Sequence, residues 1–102
     1  MSNAVYYVEY KLKKGVSRDG FLQASEKLNS GHLSKQKGYI SWKQLYDETH
    51  DTWADLCTFE TMEDVKNFEE NSSNPCELAK NFYSFINLNS CKGHFFTVER
   101  SY

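Results

Sequence analysis

The chain is predicted to be an α+β domain of βαββαβ order, with a four-stranded antiparallel sheet carrying its helices on one face. Three observations predict this. Val5 to Leu12 alternates in side-chain character, as a strand does. Gly38 to Tyr46 and Thr52 to Glu60 flank the polar stretch Asp47-Glu-Thr-His-Asp51, a hairpin that runs directly into the helix start Thr61-Met-Glu-Asp64. Apolar residues at helical spacing fill the intervals before and after that hairpin, and Cys91 to Arg100 alternates again at the end.

In the first strand Tyr6, Val8, Tyr10 and Leu12 share one parity, and Val5, Tyr7, Glu9 and Lys11 the other; Lys13-Lys14-Gly15 ends it. Ser17 is placed to cap a first helix running from about Arg18 to Gln36, with Asp19 in its first turn and Phe21, Ala24, Ser25, Leu28 and His32 along one stripe. Gly38 stops that helix. Thr61 with Asp64 forms a capping-box pattern ahead of Met62, Val65 and Phe68. Asn74 is read as the cap of a further helix, with Pro75 at its first position and Leu78, Phe82, Phe85 and Ile86 as its stripe. Asn87 to Ser90 reads as a loop. The order is that of a ferredoxin-like fold, with strand order 4-1-3-2 and the first and third strands central.

A chain of 102 residues makes one domain, 1–102. Its formal net charge of −2 and lack of a basic stripe give no support to a nucleic-acid partner. No apolar run approaches the ~18 residues of a membrane span. Cys57, Cys76 and Cys91 cannot all pair and show no C-x-x-C spacing, which suits reduced thiols in the cytoplasm. The histidines, His32, His50 and His94, lack metal-ligand spacing, so no metal is expected. There is no G-x-S-x-G, phosphate-binding glycine loop or H-E-x-x-H motif, and no cofactor is expected.

Aromatic residues are abundant, with seven Tyr, seven Phe and two Trp, more large rings than one small core needs. In the third strand Trp53, Cys57 and Phe59 oppose Ala54 and Leu56; in the second, Tyr39 and Leu45 oppose Ile40, Trp42 and Tyr46. Both sheet faces therefore ask for cover. The helices cover one, and a second copy of the chain laid on the open face covers the other, with Trp42 in that seam.

The candidate site residues follow from the same parities. Glu9 and Asp55, on neighbouring strands, share the parity of Tyr7, Trp53 and Cys57 and are expected to face one cleft, where a desolvated carboxylate would act as general base. The alternative is a solvated strand-end position or pairing with Lys11 or Lys43. His94, on the fourth strand, is a second candidate base, or else a satisfied sheet residue. Tyr7, Trp53, Phe82 and Phe85 are the candidate substrate-binding rings, with Tyr6, Tyr39, Trp42, Tyr46 and Tyr83 as further members of a ring-lined pocket; core packing explains such rings equally well.

The run Lys37-Gly-Tyr-Ile-Ser-Trp-Lys-Gln-Leu-Tyr46, followed by Trp53-Ala-Asp-Leu-Cys-Thr-Phe-Glu-Thr-Met-Glu-Asp64, resembles the antibiotic biosynthesis monooxygenase superfamily, and the pattern extends from Val5 to Val98. Phe59 stands where many members carry Trp. The resemblance implies a dimeric α+β barrel and one of three roles: cofactor-free oxygenation of electron-rich aromatics such as quinols, oxidative opening of heme, or a stress-related or unassigned function. Heme-opening members carry an Asn on the first strand, a Trp on the third and a His on the second crossover helix. Here Trp53 alone is in a comparable element. The expectation is a homodimer that binds a small apolar or aromatic molecule and oxidises it without a cofactor, Asp55 or His94 removing a proton. The alternative is a non-catalytic dimeric ligand-binding or stress-related protein.

Overall fold

The computed structural model describes residues 2–102. The elements are β1 (Ala4–Leu12), α1 (Arg18–Gly31), a 3₁₀ turn (Leu33–Lys35), β2 (Tyr39–Asp47), β3 (Thr52–Phe59), α2 (Met62–Asn71), α3 (Glu77–Tyr83) and β4 (Ile86–Thr97). All strand pairs are antiparallel and the sheet order is β2-β3-β1-β4, the ferredoxin-like order expected.

Local chemistry sets the element ends. Ser17 caps α1 through its hydroxyl, which accepts from the Gly20 N–H at 3.0 Å. Thr61 caps α2 by accepting from the Asp64 N–H at 3.1 Å. In the hairpin turn the Asp47 carboxylate accepts from the backbone N–H groups of Thr49 and His50, and Asp51 takes the left-handed conformation at φ 47°. The exposed His50 ring lies 2.7 Å from Asp47.

Three boundaries differ from the sequence reading. The first helix ends at Gly31 and the chain tightens into the 3₁₀ turn, where the Gln36 N–H bonds the Leu33 carbonyl. The last helix starts at Glu77 rather than at Pro75, because the Asn74 N–H closes the end of α2 on the Asn71 carbonyl and Cys76 is extended. Asn87 to Ser90 belongs to β4 and not to a loop. A large irregularity there sets Glu9 opposite Lys92 but Lys11 opposite Asn87, and the Lys11 N–H bonds the Ser90 hydroxyl at 2.8 Å.

The core lies between the sheet and the helices. Tyr10, Phe21, Leu28, Trp53, Ala79, Phe82 and Ile86 form one cluster, and Ala4, Leu33, Cys57, Phe59 and Val65 a second. Phe21 stands edge-on to Trp53 at 5.0 Å between ring centroids and stacks on Phe82 at 5.4 Å. Arg18 lies over both the Trp53 and Tyr46 rings, at 4.9 and 4.8 Å.

Residues paired directly across an antiparallel sheet share a face. Tyr6, Val8 and Tyr10 pair with Cys57, Asp55 and Trp53, so these six look towards the helices. Tyr7 and Glu9 pair with Leu56 and Ala54 on the open face. Glu9 and Asp55 are therefore on opposite sides of the sheet, contrary to the single cleft expected; Val8, not Glu9, is opposite Asp55. Trp42 pairs with Cys57 and packs on Phe82, so it faces the helices rather than an intermolecular seam. Tyr39 joins it there because a bulge at Ile40 resets the alternation.

Candidate functional site

A cavity of about 340 Å³ lies between the sheet and the helices, within the size range of small-molecule sites. Its floor is made by Tyr6 and Tyr10 of β1, Trp42 of β2, and Asp55 and Cys57 of β3. Phe68 of α2 and Phe82 and Tyr83 of α3 close it from above. The irregular stretch of β4 brings Leu88 and Cys91 to its rim. An outer groove of about 620 Å³ shares Leu28, Leu33, Phe68, Ser72, Ser73 and Tyr83 with it. That groove is larger, but none of its titratable side chains, His32, Glu70, Cys76 and Tyr83, is fully buried, whereas the inner cavity holds a buried carboxyl.

Asp55 is only 5% exposed. Its Oδ1 accepts a hydrogen bond from the Tyr10 hydroxyl at 2.8 Å. Burial pushes the carboxyl from its ordinary value of 3.8 up to about 7, while the Tyr10 hydroxyl and the nearby Trp42 indole pull partly the other way. The Trp42 Nε1 nonetheless makes no hydrogen bond and is fully buried. Around this group, burial also pushes up the Tyr10 hydroxyl, with the Asp55 charge adding to it, and lifts Tyr6 to about 12. Cys57 is raised for the same reason, which keeps its thiol protonated and unreactive. A carboxyl poised near neutral pH at the floor of a ring-lined cavity can accept a proton from a bound molecule.

No family model and no curated protein matches the chain in sequence. Its structure, however, superimposes on solved proteins over almost its whole length. SnoaB, a cofactor-independent oxygenase from Streptomyces nogalater, aligns with a TM-score of 0.75 at 8% identity, over 99% of this chain and 97% of that one. A Bacillus cereus protein provisionally named an antibiotic biosynthesis monooxygenase aligns at 0.66 and 16% identity, over 100% and 98%. The chain has the antibiotic biosynthesis monooxygenase fold. A hydroxynitrile lyase from Passiflora edulis aligns as well, at 0.67 and 20% identity over 98% and 96%. The antibiotic biosynthesis monooxygenase fold thus carries more than one chemistry, and the choice rests on the cavity's own residues.

Of the candidate site residues, this fold brings Asp55 and Phe82 together in the cavity. Trp53 and Phe85 sit behind it in the core, each packed on Phe21. Tyr7, Glu9 and His94 are on the open face, where the Tyr7 hydroxyl donates to Glu9 at 2.8 Å and His94 is paired with Tyr7 across the strands. His94 cannot serve the Asp55 cavity, because the sheet lies between them. Of the further pocket rings expected from the sequence, Tyr6, Trp42 and Tyr83 line the cavity and Tyr39 and Tyr46 do not, and the sequence reading assigns none of them, nor Tyr10, a role at the carboxyl. The signal lies in parity: once Asp55 is opposite Val8, Tyr6 and Tyr10 share its face.

Proposed function

We propose that the protein is a cofactor-independent oxygenase acting on a small acidic aromatic, a phenol or quinol, with Asp55 as general base. The observation that carries this is a buried carboxyl, raised to about 7, on the floor of a partly open, largely ring-lined cavity. The likeness to an oxygenase that works without a cofactor supports the general kind of chemistry. Asp55 accepts the hydroxyl proton, and the electron-rich phenolate passes an electron to dioxygen. One oxygen atom enters the ring and the other leaves as water, so that a phenol and O₂ give a quinone and H₂O. Phe82, Tyr6 and Tyr83 hold the ring beside the buried carboxyl.

We further infer a homodimer in the cytoplasm. The open face presents Val5, Tyr7 and Leu56 half-buried, Leu45 at 45% and Phe96 at 52% exposure, apolar side chains interspersed with Glu9, Lys43 and His94 that a second sheet would cover. Three free cysteines suit a reducing compartment, and no helix among the described residues is long and apolar enough to cross a membrane.

The test is oxygen uptake with a panel of phenols and quinols, comparing wild type with Asp55→Asn. The expected result is turnover that falls by about 10²-fold or more in the variant. Tight ligand binding with no oxygen uptake by any substrate would favour the non-catalytic ligand-binding alternative.

A further inference from the structure

The Trp42 indole nitrogen is the one buried side-chain N or O atom without a hydrogen-bond partner among the described residues. Leaving such a donor unmet costs about 1–3 kcal/mol, so its persistence calls for an explanation. Trp42 lines the same cavity as Asp55. It is held there edge-on to Phe82, at 5.5 Å between centroids, and its place opposite Cys57 puts it diagonally across the strands from Asp55. The carboxyl offers the complementary group: Oδ1 is taken by Tyr10, whereas Oδ2 receives no hydrogen bond within 3.5 Å from a described residue, although the Trp42 indole is near enough to favour the charged carboxylate.

We propose that the Trp42 indole N–H is the oxyanion donor of this site, hydrogen-bonding the substrate oxygen whose proton Asp55 accepts. The inference rests on the reading of Asp55 as the base. A hydroxyl is the group that fits both partners, since it donates to Oδ2 and accepts from Nε1 at one atom. On proton transfer the substrate O–H bond breaks, the proton moves to Asp55 Oδ2, and the electron pair stays on the oxygen that faces the indole N–H. That contact strengthens as the negative charge develops, and it needs only a small displacement of the neighbouring side chains, since the indole nitrogen is covered before the ligand enters. The same pair sets specificity. A carboxylate ligand would meet the Asp55 charge, and an ammonium would leave the indole N–H without an acceptor, so neutral acidic hydroxyls are selected.

The experiment is a binding titration with 4-nitrophenol, whose absorbance separates phenol from phenolate, across pH 5 to 9. Wild type, Trp42→Phe, Asp55→Asn and the double variant are compared. Phenylalanine keeps a ring against Phe82 but lacks the donor. Trp42→Phe is expected to weaken phenolate binding by roughly 10- to 100-fold, as loss of a hydrogen bond to a charged oxygen does, both in the wild-type background and combined with Asp55→Asn. Asp55→Asn is expected to leave only the probe's own phenol–phenolate ionisation, read from its absorbance, in the pH dependence of binding. Equal phenolate affinity with and without the indole N–H overturns the Trp42 role while leaving Asp55 in place. A pH profile indifferent to Asp55→Asn overturns the base and the proposal with it, as does failure of the wild type to bind the probe. Should Trp42→Phe not fold, benzothienylalanine at position 42, with sulfur in place of the N–H, preserves the ring shape and carries the same expectation.

Discussion

A carboxyl buried as Asp55 is works against the stability of the chain that holds it. Its folded pKa of about 7 lies above the ordinary 3.8, so between those values the native state binds more protons than the unfolded one. Stability therefore falls as pH rises through that window, the full penalty being present above about 7 and absent below about 4. Asp55→Asn, which still accepts from Tyr10, is expected to be more stable than wild type at pH 8, by roughly 2–4 kcal/mol, and equal to it near pH 4. Denaturant melts at the two pH values check this; no gain at pH 8 would mean that the carboxyl is not desolvated. The same ionisation predicts that kcat/KM on a phenol climbs through about pH 7, since only the carboxylate form takes a proton. Greater stability with lost turnover is the pattern of a strained functional group.

At the scale of elements, the joint between the α1 end, β2 and α2 is set by one glycine. Gly38 adopts φ +80°, and its carbonyl accepts from the Glu60 N–H at 2.8 Å, tying the start of β2 to the end of β3. A Cβ at this position would overlap the Asp64 carboxylate in the first turn of α2. Gly38→Ala is therefore expected to destabilise the protein by about 1–3 kcal/mol, from backbone strain and displacement of Asp64 together. A shift of that size in the thermal midpoint is the check, and an unchanged midpoint would show that the turn relaxes freely. The glycine and the Thr61 cap were legible in the sequence, because stop and start signals are local. The β4 irregularity was not: Asn87 to Ser90 is polar in sequence, and its place in the sheet depends on a Ser90 hydroxyl meeting the β1 backbone across 79 positions of chain.

For the whole molecule, the open sheet face is where a second copy is expected, and the corrected register changes which residue tests it. Trp42→Asp would damage the sheet-to-helix core, since Trp42 packs on Phe82. Leu56, paired with Tyr7 and Lys43 on the open face, is the better probe. Leu56→Asp is expected to convert a dimer into monomers in sedimentation velocity with little effect on the monomer's circular dichroism, because a carboxylate is costly to bury in a seam even with Lys43 opposite it. An unchanged sedimentation coefficient would place the interface elsewhere or remove it. His94, Glu9 and Tyr7 would then belong to a solvated face rather than to a seam, and in neither case to the cavity chemistry.

By itself the sequence determined the βαββαβ order, the strand order and the two-sided apolar demand of the sheet, since strand alternation, helix caps and crossover handedness are properties of local stretches and chain direction. It also brought Asp55 forward as a candidate site residue on residue type and strand parity, and Phe82 as a ring on a helical stripe. What the tertiary structure decided was which residues meet. The β1–β3 register put Asp55 opposite Val8 and sent Glu9 and Tyr7 to the other face, and the bulge at Ile40 turned Tyr39 inward beside Trp42. A slip of one residue exchanges every side chain between faces, and register is set by contacts distant in sequence, so no local pattern could reveal the facing of the Trp42 indole and the Asp55 carboxyl.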